Sequence, residues 1–277
     1  MNIKVKKVLL KARKQVFGEM LGNNASLFQG EGFEFTELRE YVYGDDVRKI
    51  DWKTTAKLGK PFIKIYREER ELNVVTAVMM GGSSYFGTVR QKSEVMAELV
   101  ALLGFSAVKN GDLFSNVIFA DKLYSMEKAN KKFFAIQNAV TQMEQFEMLG
   151  KESNHKAFIN MLYKRLRRKS LLFIISDFVG EIDLKLLAKK HDVLAIVVRD
   201  RFEEEPKELG FIRLMDMENH NTYEGMVGAM ELKKYKEALV ENDKKLFEHF
   251  KKSSVRYVKV YTHEEPYLKL AKLLGVH

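Results

Sequence analysis

Five charged side chains lie close together near the start of the chain, where arginines alternate with aspartates. Arg39 and Arg48 bracket Asp45 and Asp46, and Asp51 follows three residues after Arg48. A planar guanidinium can hold a carboxylate through two parallel hydrogen bonds, so this spacing favours ion pairs that lock one loop geometry. The three carboxylates could instead ligate a metal ion, but the neighbouring arginines are better explained as their counterions. We expect a structural lock whose outer side can serve as a docking surface.

The residues around these charges predict how the stretch packs. Gly44 precedes the two aspartates and permits the positive φ of a tight turn. Ile50 and Trp52 are expected to re-enter a hydrophobic core after that turn. Aromatic, acidic and basic residues are too densely mixed for an ordinary helix or strand, so we expect an irregular or β-rich module. The apolar anchors expected before the turn are Phe35, Leu38 and Tyr41.

A second candidate site lies in the loops that follow two strongly apolar segments. Apolar segments separated by helical patterns predict a parallel sheet covered on both faces, and such sheets bind ligands beyond the carboxyl ends of their strands. The loops after Met80 and Ser176 should meet there. The first loop lacks the glycine two residues after Ser83 that a nucleophile elbow needs, and it lacks the Gly-Lys-Ser/Thr ending of a Walker A loop. We expect Ser83 to cap a helix and Asp177 to stabilise a turn.

Cysteine and histidine usage argues against a metal centre. The chain has no cysteine, which excludes disulfides and thiolate-ligated zinc, and its six histidines show no paired ligand spacing. We expect neither a metal nor a cofactor. Anion binding by the backbone amides of the helix after Ser83 stays open as an alternative.

The composition fits one large folded domain, or one domain with an appendage. The chain has 277 residues, of which 46% are hydrophobic and 31% charged, with a formal charge of +9 and a pI near 9.3. The basic residues gather in residues 3–21 and in Lys164–Lys169. Solvated helix ends explain both groups most simply, and a phosphate-bearing or acidic partner is the alternative. No uninterrupted apolar run is long enough to cross a bilayer.

Hydrophobic periodicity predicts the order of helices and strands. A helix over residues 3–21 should stop at Gly22-Asn23-Asn24. The later helices are expected around Val95 to Phe105 and over residues 131–148, 155–168 and 231–252, and from Pro266. The strands are expected over residues 62–67, 73–80, 113–120, 122–126, 171–176, 193–198 and 255–262, with a hairpin from Phe211–Met215 and Thr222-Tyr223. The helix over 231–252 should turn Leu232, Tyr235, Leu239, Leu246 and Phe250 inward.

The charged stretch resembles the domain of unknown function 58 family. Its ordered motifs are Arg39-Glu40-Tyr41, Gly44-Asp45-Asp46, Arg48, Ile50-Asp51-Trp52, Ala56, Phe62-Ile63-Lys64 and Arg67-Glu68-Glu69. The resemblance implies an α/β fold of the von Willebrand factor type A-like (Rossmann-like) kind, a doubly wound, mainly parallel sheet with a small N-terminal β-rich module. The module with the signature should span residues 1–70, and the von Willebrand factor type A-like domain residues 71–277.

The same resemblance implies a degenerate cation site. Domains of the von Willebrand type hold a divalent ion with an Asp-x-Ser-x-Ser loop and a later aspartate. Here Met79 takes the position of the first aspartate, Gly81 that of the first serine and Ser83 that of the second, while Asp177 matches the later aspartate. A thioether is a soft ligand that cannot replace a carboxylate for magnesium, so the site should be free of metal.

The resemblance implies a function without catalysis. Proteins of this family are associated with MoxR-type AAA+ ATPases, so we expect an adaptor that contacts such an ATPase and membrane-anchored von Willebrand factor type A-like proteins. We expect a cytoplasmic protein, peripheral to the inner face of the membrane, with no nucleic-acid partner. A metal-dependent enzyme, or a basic protein that binds nucleic acid or anionic membranes, stays as an alternative. The working surface is either the crevice or the signature residues Arg39, Asp45, Asp46, Arg48, Asp51 and Trp52.

Overall fold

Apolar runs and helical patterns alternate along the chain, and the elements follow them closely. The computed structural model describes residues 2–18, 35–66, 71–208 and 210–274. Its helices are α1 (Ile3–Gly18), α2 (Trp52–Leu58), α3 (Lys92–Lys109), α4 (Phe133–Gln145), α5 (His155–Arg165), α6 (Lys185–Lys190), α7 (Arg201–Glu204), α8 (Ala229–Lys252) and α9 (Pro266–Leu274). Its strands are β1 (Phe35–Glu40), β2 (Phe62–Tyr66), β3 (Asn73–Met79), β4 (Leu113–Phe119), β5 (Leu123–Met126), β6 (Leu171–Ser176), β7 (Asp192–Arg199), β8 (Gly210–Met215), β9 (Thr222–Val227) and β10 (Arg256–Tyr261).

Six strands form a central sheet in the order β10-β7-β6-β3-β4-β5. All neighbours are parallel except β5, which returns antiparallel to β4. On the central strand, Val75 is paired with Ser115 of β4 on one side and Leu172 of β6 on the other. The near-continuous apolar sequence of β3, β6 and β7 suits strands that are covered on both faces. The predicted α/β class, with a mainly parallel sheet flanked by helices, is confirmed.

Alternate side chains of each strand enter two separate hydrophobic cores. Val74 and Val78 of β3 lie in the core beneath α1, α3, α4 and α9. Val75 and Ala77 of the same strand lie in the core beneath α5, α6 and α8. This alternation follows from the two-residue repeat of a strand, and it fixes the register of β3 between the two helical layers.

The path of the chain creates a crevice at the carboxyl end of the sheet. After β3 the chain builds β4 and β5 on one side, then crosses to β6 on the other side of β3. The loops that leave β3 and β6 therefore diverge at neighbouring strand ends, which is the usual position of a ligand site in an open α/β sheet.

The described residues of the signature stretch, 35–66 and 71, form a small unit of their own. Strands β1 and β2 pair antiparallel, with Glu40 opposite Phe62. Asp51 caps α2 by accepting a hydrogen bond from the backbone N–H of Lys53, and Gly59, with a φ of 71°, ends that helix. The expectation of an irregular segment was therefore wrong in part, because a capped helix of seven residues lies inside it.

Two predicted core positions prove to be exposed. The side chain of Trp52 is 70% exposed, so it does not re-enter a core, and Tyr235 on α8 is 46% exposed. Both helices are amphipathic only in part: α2 buries no residue fully, and on α8 the fully buried residues are Leu246 and Phe250.

Helix α1 belongs to the α/β unit, although residues 1–70 were expected to form one module. Val5, Ala12 and Val16 of α1 are buried in the core shared with α3 and α4, and α1 groups with the unit that resumes at Leu72. The predicted stop at Gly22-Asn23-Asn24 and the motif Arg67-Glu68-Glu69 lie outside the described residues. In the described part, no helix is both long and apolar enough to cross a membrane.

Candidate functional site

A lysine side chain occupies the crevice at the switch point of the sheet. Lys92 opens α3, and its side chain is completely buried. Its Nζ lies 2.9 Å from Oδ2 of Asp177, in the loop after β6, and 2.7 Å from Oε1 of Glu203 in α7. An ammonium has three donors and carries one positive charge, so it can join two carboxylates that approach from different loops.

Ser83 completes this arrangement from the loop after β3. Its hydroxyl donates a hydrogen bond of 2.8 Å to Oδ2 of Asp177, the oxygen that also accepts from Lys92. Ser83 lies in a short 3₁₀ turn, Gly82–Tyr85, and the residue that caps α3 is Gln91. The expected helix cap at Ser83 was therefore wrong, whereas the expected meeting of the two loops is confirmed. We name Ser83, Lys92, Asp177 and Glu203 the crevice cluster.

The pKa of Asp177 reports the strength of this cluster. Burial alone raises the pKa of the carboxyl, but the charge and hydrogen bond of Lys92, the hydroxyl of Ser83 and the charge of Arg199 lower it to about 2. For Lys92, burial lowers the pKa of the ammonium, and the carboxylates of Asp177 and Glu203 more than compensate and raise it. Both groups are therefore charged at neutral pH.

Glu203 is held in place by a second hydrogen bond, which it accepts at the start of α7. Its Oε2 accepts the backbone N–H of Asp200 at 2.7 Å, while Asp200 accepts the N–H of Phe202 at 2.9 Å. This reciprocal arrangement is a capping box, which fixes the first turn of a helix. One carboxylate thus orders α7 with one oxygen and neutralises Lys92 with the other.

More ion pairs extend the cluster towards the edge of the sheet. Arg199, at the end of β7, is almost fully buried and donates to Asp243 of α8 at 3.1 Å. Lys259 of β10 bridges Asp243 and Glu204 at 2.7 and 2.6 Å. The carboxyl ends of β6, β7 and β10 are therefore connected to α7 and α8 by ion pairs of alternating charge.

The turn of the β8–β9 hairpin packs against the loop after β3. It also contacts the segment between α4 and α5, where the backbone N–H of Gly150 donates to the carbonyl of Met217 at 2.9 Å and the hydroxyl of Ser153 donates to Glu218 at 2.9 Å. A Cβ on Gly82 would stand 2.1 Å from the carbonyl oxygen of Met217, and one on Gly81 would meet the side chains of Ser153 and Glu218. Both glycines are needed because the hairpin turn approaches so closely.

The loop after β6 carries backbone strain beside the cluster. Phe178 follows Asp177 directly, and its φ of 51° is unusual for a bulky residue. Its ring is fully buried and packs edge-on against Phe250 of α8, with centroids 5.4 Å apart. The amide of Asn242 donates to its carbonyl at 3.4 Å. These contacts hold a strained turn that directs the carboxylate of Asp177 towards Lys92.

The four positions of the expected degenerate cation site divide into two groups. Ser83 and Asp177 lie together in the crevice cluster. Met79 is buried in the core beneath α5, α6 and α8, and Gly81 supports the approach of the hairpin turn. Among the described residues, no three histidine, aspartate or glutamate side chains gather at metal-ligand spacing.

The signature residues make local contacts within their own unit. Arg39 holds both carboxylate oxygens of Asp45 at 2.9 and 3.1 Å, and Asp45 also accepts the N–H of Val42 at 2.8 Å. Asp46 accepts the backbone N–H and the Nε of Arg48 at 3.0 and 3.1 Å. Hydrogen bonds to the backbone and to the paired arginine lower the pKa of both aspartates. The predicted turn, with Gly44 at a φ of 106°, and the arginine–aspartate lock are present.

Several signature side chains nevertheless face solvent. The side chain of Arg48 is 88% exposed, and Tyr43 is almost completely exposed, as is much of Trp52. Exposed aromatic and arginine side chains are enriched where proteins contact one another. The lock therefore presents a surface of interface-like composition on a turn that it holds rigid.

Sequence reasoning did not identify Lys92 or Glu203 as site residues. The partners of Lys92 lie 85 and 111 residues away along the chain, so no local spacing announces them. One signal was available: a lysine in the first turn of an apolar helix is opposed by the helix dipole, so its presence there indicates a nearby carboxylate.

Comparisons with known proteins place the chain among uncharacterized relatives. Residues 37–244 match the family described as "Protein of unknown function DUF58". Uncharacterized proteins of Mycobacterium bovis and Mycobacterium tuberculosis are each 28% identical to the chain over 219 residues, which is 76% of this chain and 68% of theirs. The conserved hypothetical protein BatB from Bacteroides thetaiotaomicron has a TM-score of 0.49 at 12% identity, covering 74% of this chain and 97% of that structure. An aerotolerance-related membrane protein from Bacteroides fragilis has a TM-score of 0.45 at 11% identity, covering 74% of this chain and 98% of that structure.

Proposed function

The chain belongs to the DUF58 family of proteins of unknown function, and we propose that it is a non-catalytic adaptor that couples a MoxR-type AAA+ ATPase to other proteins. In this proposal the α/β unit is a von Willebrand factor type A-like domain whose cation site has become a structural element. Its other partners include membrane-anchored proteins of the same type. It works at the cytoplasmic side, in contact with the inner face of the membrane.

The crevice cluster is the observation that carries the proposal. Where a ligand-binding α/β sheet would leave room for a substrate or an ion, Lys92 supplies a positive charge from within the chain, and Asp177 and Glu203 neutralise it. A divalent ion at Asp177 would have to displace an ammonium held at 2.9 Å by that carboxylate. Contact with another protein needs no open crevice, so this arrangement favours an adaptor over an enzyme.

The exposed side chains of Tyr43, Arg48 and Trp52, which we name the signature surface, supply a place for that contact. The turn of this surface is fixed by the Arg39–Asp45 pair, while Arg48 and Trp52 are largely exposed. A rigid turn loses little conformational entropy on binding, so exposed aromatic and guanidinium groups on it are suited to act as anchors. We assign the ATPase contact to this surface.

Capture of the ATPase from co-expressing cells tests the assignment. Replacing Arg48 and Trp52 together with alanine removes two exposed anchors and spares both the Arg39–Asp45 pair and the Asp51 cap. Loss of the anchors should lower the recovered ATPase at least about tenfold, because interface aromatic and arginine residues each contribute about 1–2 kcal/mol or more.

Two exposed residues on α2, the helix that begins at Trp52, provide the control. Lys57 and Leu58 of α2 are exposed, and Leu58 is 60% exposed. Their double replacement with alanine should leave capture unchanged. Equal capture by both double variants would remove the signature surface from the interface, and absence of any ATPase with the wild-type protein would remove the proposed partner.

A further inference from the structure

The outward face of α1 carries a pattern that its own unit does not use. The inward face is accounted for by Val5, Ala12 and Val16, which are buried against α3 and α4. On the opposite face, Ile3 and Leu10 are 70% and 66% exposed, and they lie two turns apart on one line of the helix. Both side chains therefore remain largely uncovered by the residues that the structure describes.

Basic residues flank that apolar line on both sides. Lys7 and Lys14 lie on one side of it, and Lys6 and Arg13 lie on the other, as the repeat of 3.6 residues per turn requires. The surface has the composition of an interfacial helix, in which aliphatic side chains enter the acyl boundary and cations meet the headgroups.

The lysines of α1 differ in the ion pairs that they form with other described residues. Lys4 pairs with Glu94 at 3.3 Å, and Lys11 pairs with Glu98 and Glu265 at 2.8 and 2.9 Å. These two lie on the flank that faces the rest of the unit. Within the part of the chain that the structure describes, Lys6, Lys7 and Lys14 form no ion pair. Their charge is therefore available to an external anionic surface.

The first turn of α4 extends the surface with two aromatic rings. Phe133 packs against Phe17 of α1 with centroids 6.0 Å apart, and the guanidinium of Arg13 lies 5.9 Å from its centroid. Phe133 is 48% exposed and Phe134 is 64% exposed. Lys132, next to them, is also exposed. Aromatic side chains with adjacent cations are typical of the boundary between a membrane and water.

We propose that the outward face of α1, together with Phe133 and Phe134, docks on an anionic phospholipid surface. The α1 surface consists of Ile3, Lys6, Lys7, Leu10, Arg13, Lys14, Phe133 and Phe134. Its charge complements the headgroups, and its exposed apolar line favours lipid over nucleic acid, which offers no acyl layer for Ile3, Leu10 and Phe134. The inference is independent of the proposed ATPase partner, because it uses no residue of the signature or of the crevice cluster.

Co-sedimentation with vesicles tests this proposal. The probes are phosphatidylcholine vesicles with and without about a third of phosphatidylglycerol. The wild-type chain should bind the anionic vesicles, leave the neutral ones unbound and dissociate as the salt concentration rises above about 0.5 M. Changing Lys6, Lys7 and Lys14 together to glutamine should weaken binding about tenfold or more, since each cation near such a surface contributes about fivefold.

Matched changes on α8 separate this surface from the general positive charge of the chain. Lys233, Lys234 and Lys236 are exposed on that helix, and changing all three to glutamine removes the same charge. This control should keep its affinity within about twofold. An equal loss in both triple variants, or no binding of the wild-type chain to anionic vesicles, would overturn the proposal.

A second pair of variants distinguishes lipid from nucleic acid. Leu10→Gln removes an aliphatic side chain that is 66% exposed, and Val240→Gln changes a comparable position on α8 that is 67% exposed. Leu10→Gln should weaken vesicle binding several-fold and leave the thermal unfolding temperature unchanged. Val240→Gln should bind vesicles as the wild-type chain does. Tighter binding to duplex DNA than to vesicles, unaffected by Leu10→Gln, would show a nucleic-acid surface and contradict the proposal.

Discussion

At the scale of residues, the chemistry of the crevice is set by one lysine. Asp177 and Ser83 bring oxygen atoms into the crevice, and Oγ of Ser83 lies 2.8 Å from Oδ2 of Asp177. The cation between Asp177 and Glu203 is the ammonium of Lys92, tethered to the chain by α3. A tethered charge needs no capture from solvent, so the cluster can stabilise the fold continuously, which suits a structural role.

Removing this charge should destabilise the protein strongly. Lys92→Met keeps much of the volume but removes the ammonium from the buried carboxylate of Asp177 and the half-buried one of Glu203, and breaking a buried pair in this way costs about 3–5 kcal/mol. Chemical denaturation would measure the loss in the free energy of unfolding. Lys156→Met, on the exposed side of α5, should change it by less than about 0.5 kcal/mol. A loss of under about 1 kcal/mol for Lys92→Met would show that the cluster contributes little.

The free energy of unfolding at acidic pH gives an independent test of the contribution of Asp177. Because the pKa of Asp177 is about 2 in the folded protein against an ordinary value of 3.8, its stabilising contribution is present above pH 3.8 and is lost as the pH falls towards 2. In the Asp177→Asn variant this part of the pH dependence should be absent.

The sequence could predict part of this site and not the rest. Asp177 and Ser83 follow buried strands, so parallel pairing alone predicted that their loops meet. Lys92 and Glu203 are brought in by α3 and α7, and their positions depend on how those helices pack over the sheet. The lock in the signature was predictable because Arg39 and Asp45 lie only six residues apart along the chain.

At the scale of elements, the strongly periodic segments were predicted well. The strand β6 has the predicted bounds, and the long helix α8 begins two residues before its prediction. The short helix α2 was missed because its seven residues mix polar and apolar types without a repeat, and its start depends on the side chain of Asp51. Local capping decided its formation, and hydrophobic periodicity could not reveal it.

The β8–β9 hairpin gives a prediction for its contact with the loop after β3. A methyl group on Gly82 would overlap the carbonyl of Met217, so Gly82→Ala should displace the hairpin turn and cost about 1–3 kcal/mol. Hydrogen exchange at the amide of Gly150, which donates to Met217, should accelerate.

A glycine with ordinary space around it serves as the control for that variant. A Cβ on Gly228 would meet nothing closer than 3.5 Å, so Gly228→Ala should cost less than about 1 kcal/mol and leave exchange at Gly150 unchanged. Unaltered exchange at Gly150 in Gly82→Ala would show that the turn does not depend on this contact.

At the scale of the whole molecule, the chain consists of an α/β unit and a small signature unit. The α/β unit includes α1, which the family resemblance led us to expect in the signature module. The basic sequence of α1 hid its role, because the three small or branched residues on its inward face suffice to anchor it to α3 and α4. Among the residues that the structure describes, Lys6, Lys7 and Lys14 on its outward face form no ion pair.

Titration of the wild-type protein with Mn²⁺ tests the central claim most directly, because that claim is that Lys92 already provides the cation of the crevice. Calorimetry at neutral pH, with about 1 mM Mn²⁺ or Mg²⁺, should show no saturable binding. Stoichiometric binding that the Asp177→Asn variant loses would contradict the account, because it would show that the crevice binds a metal ion.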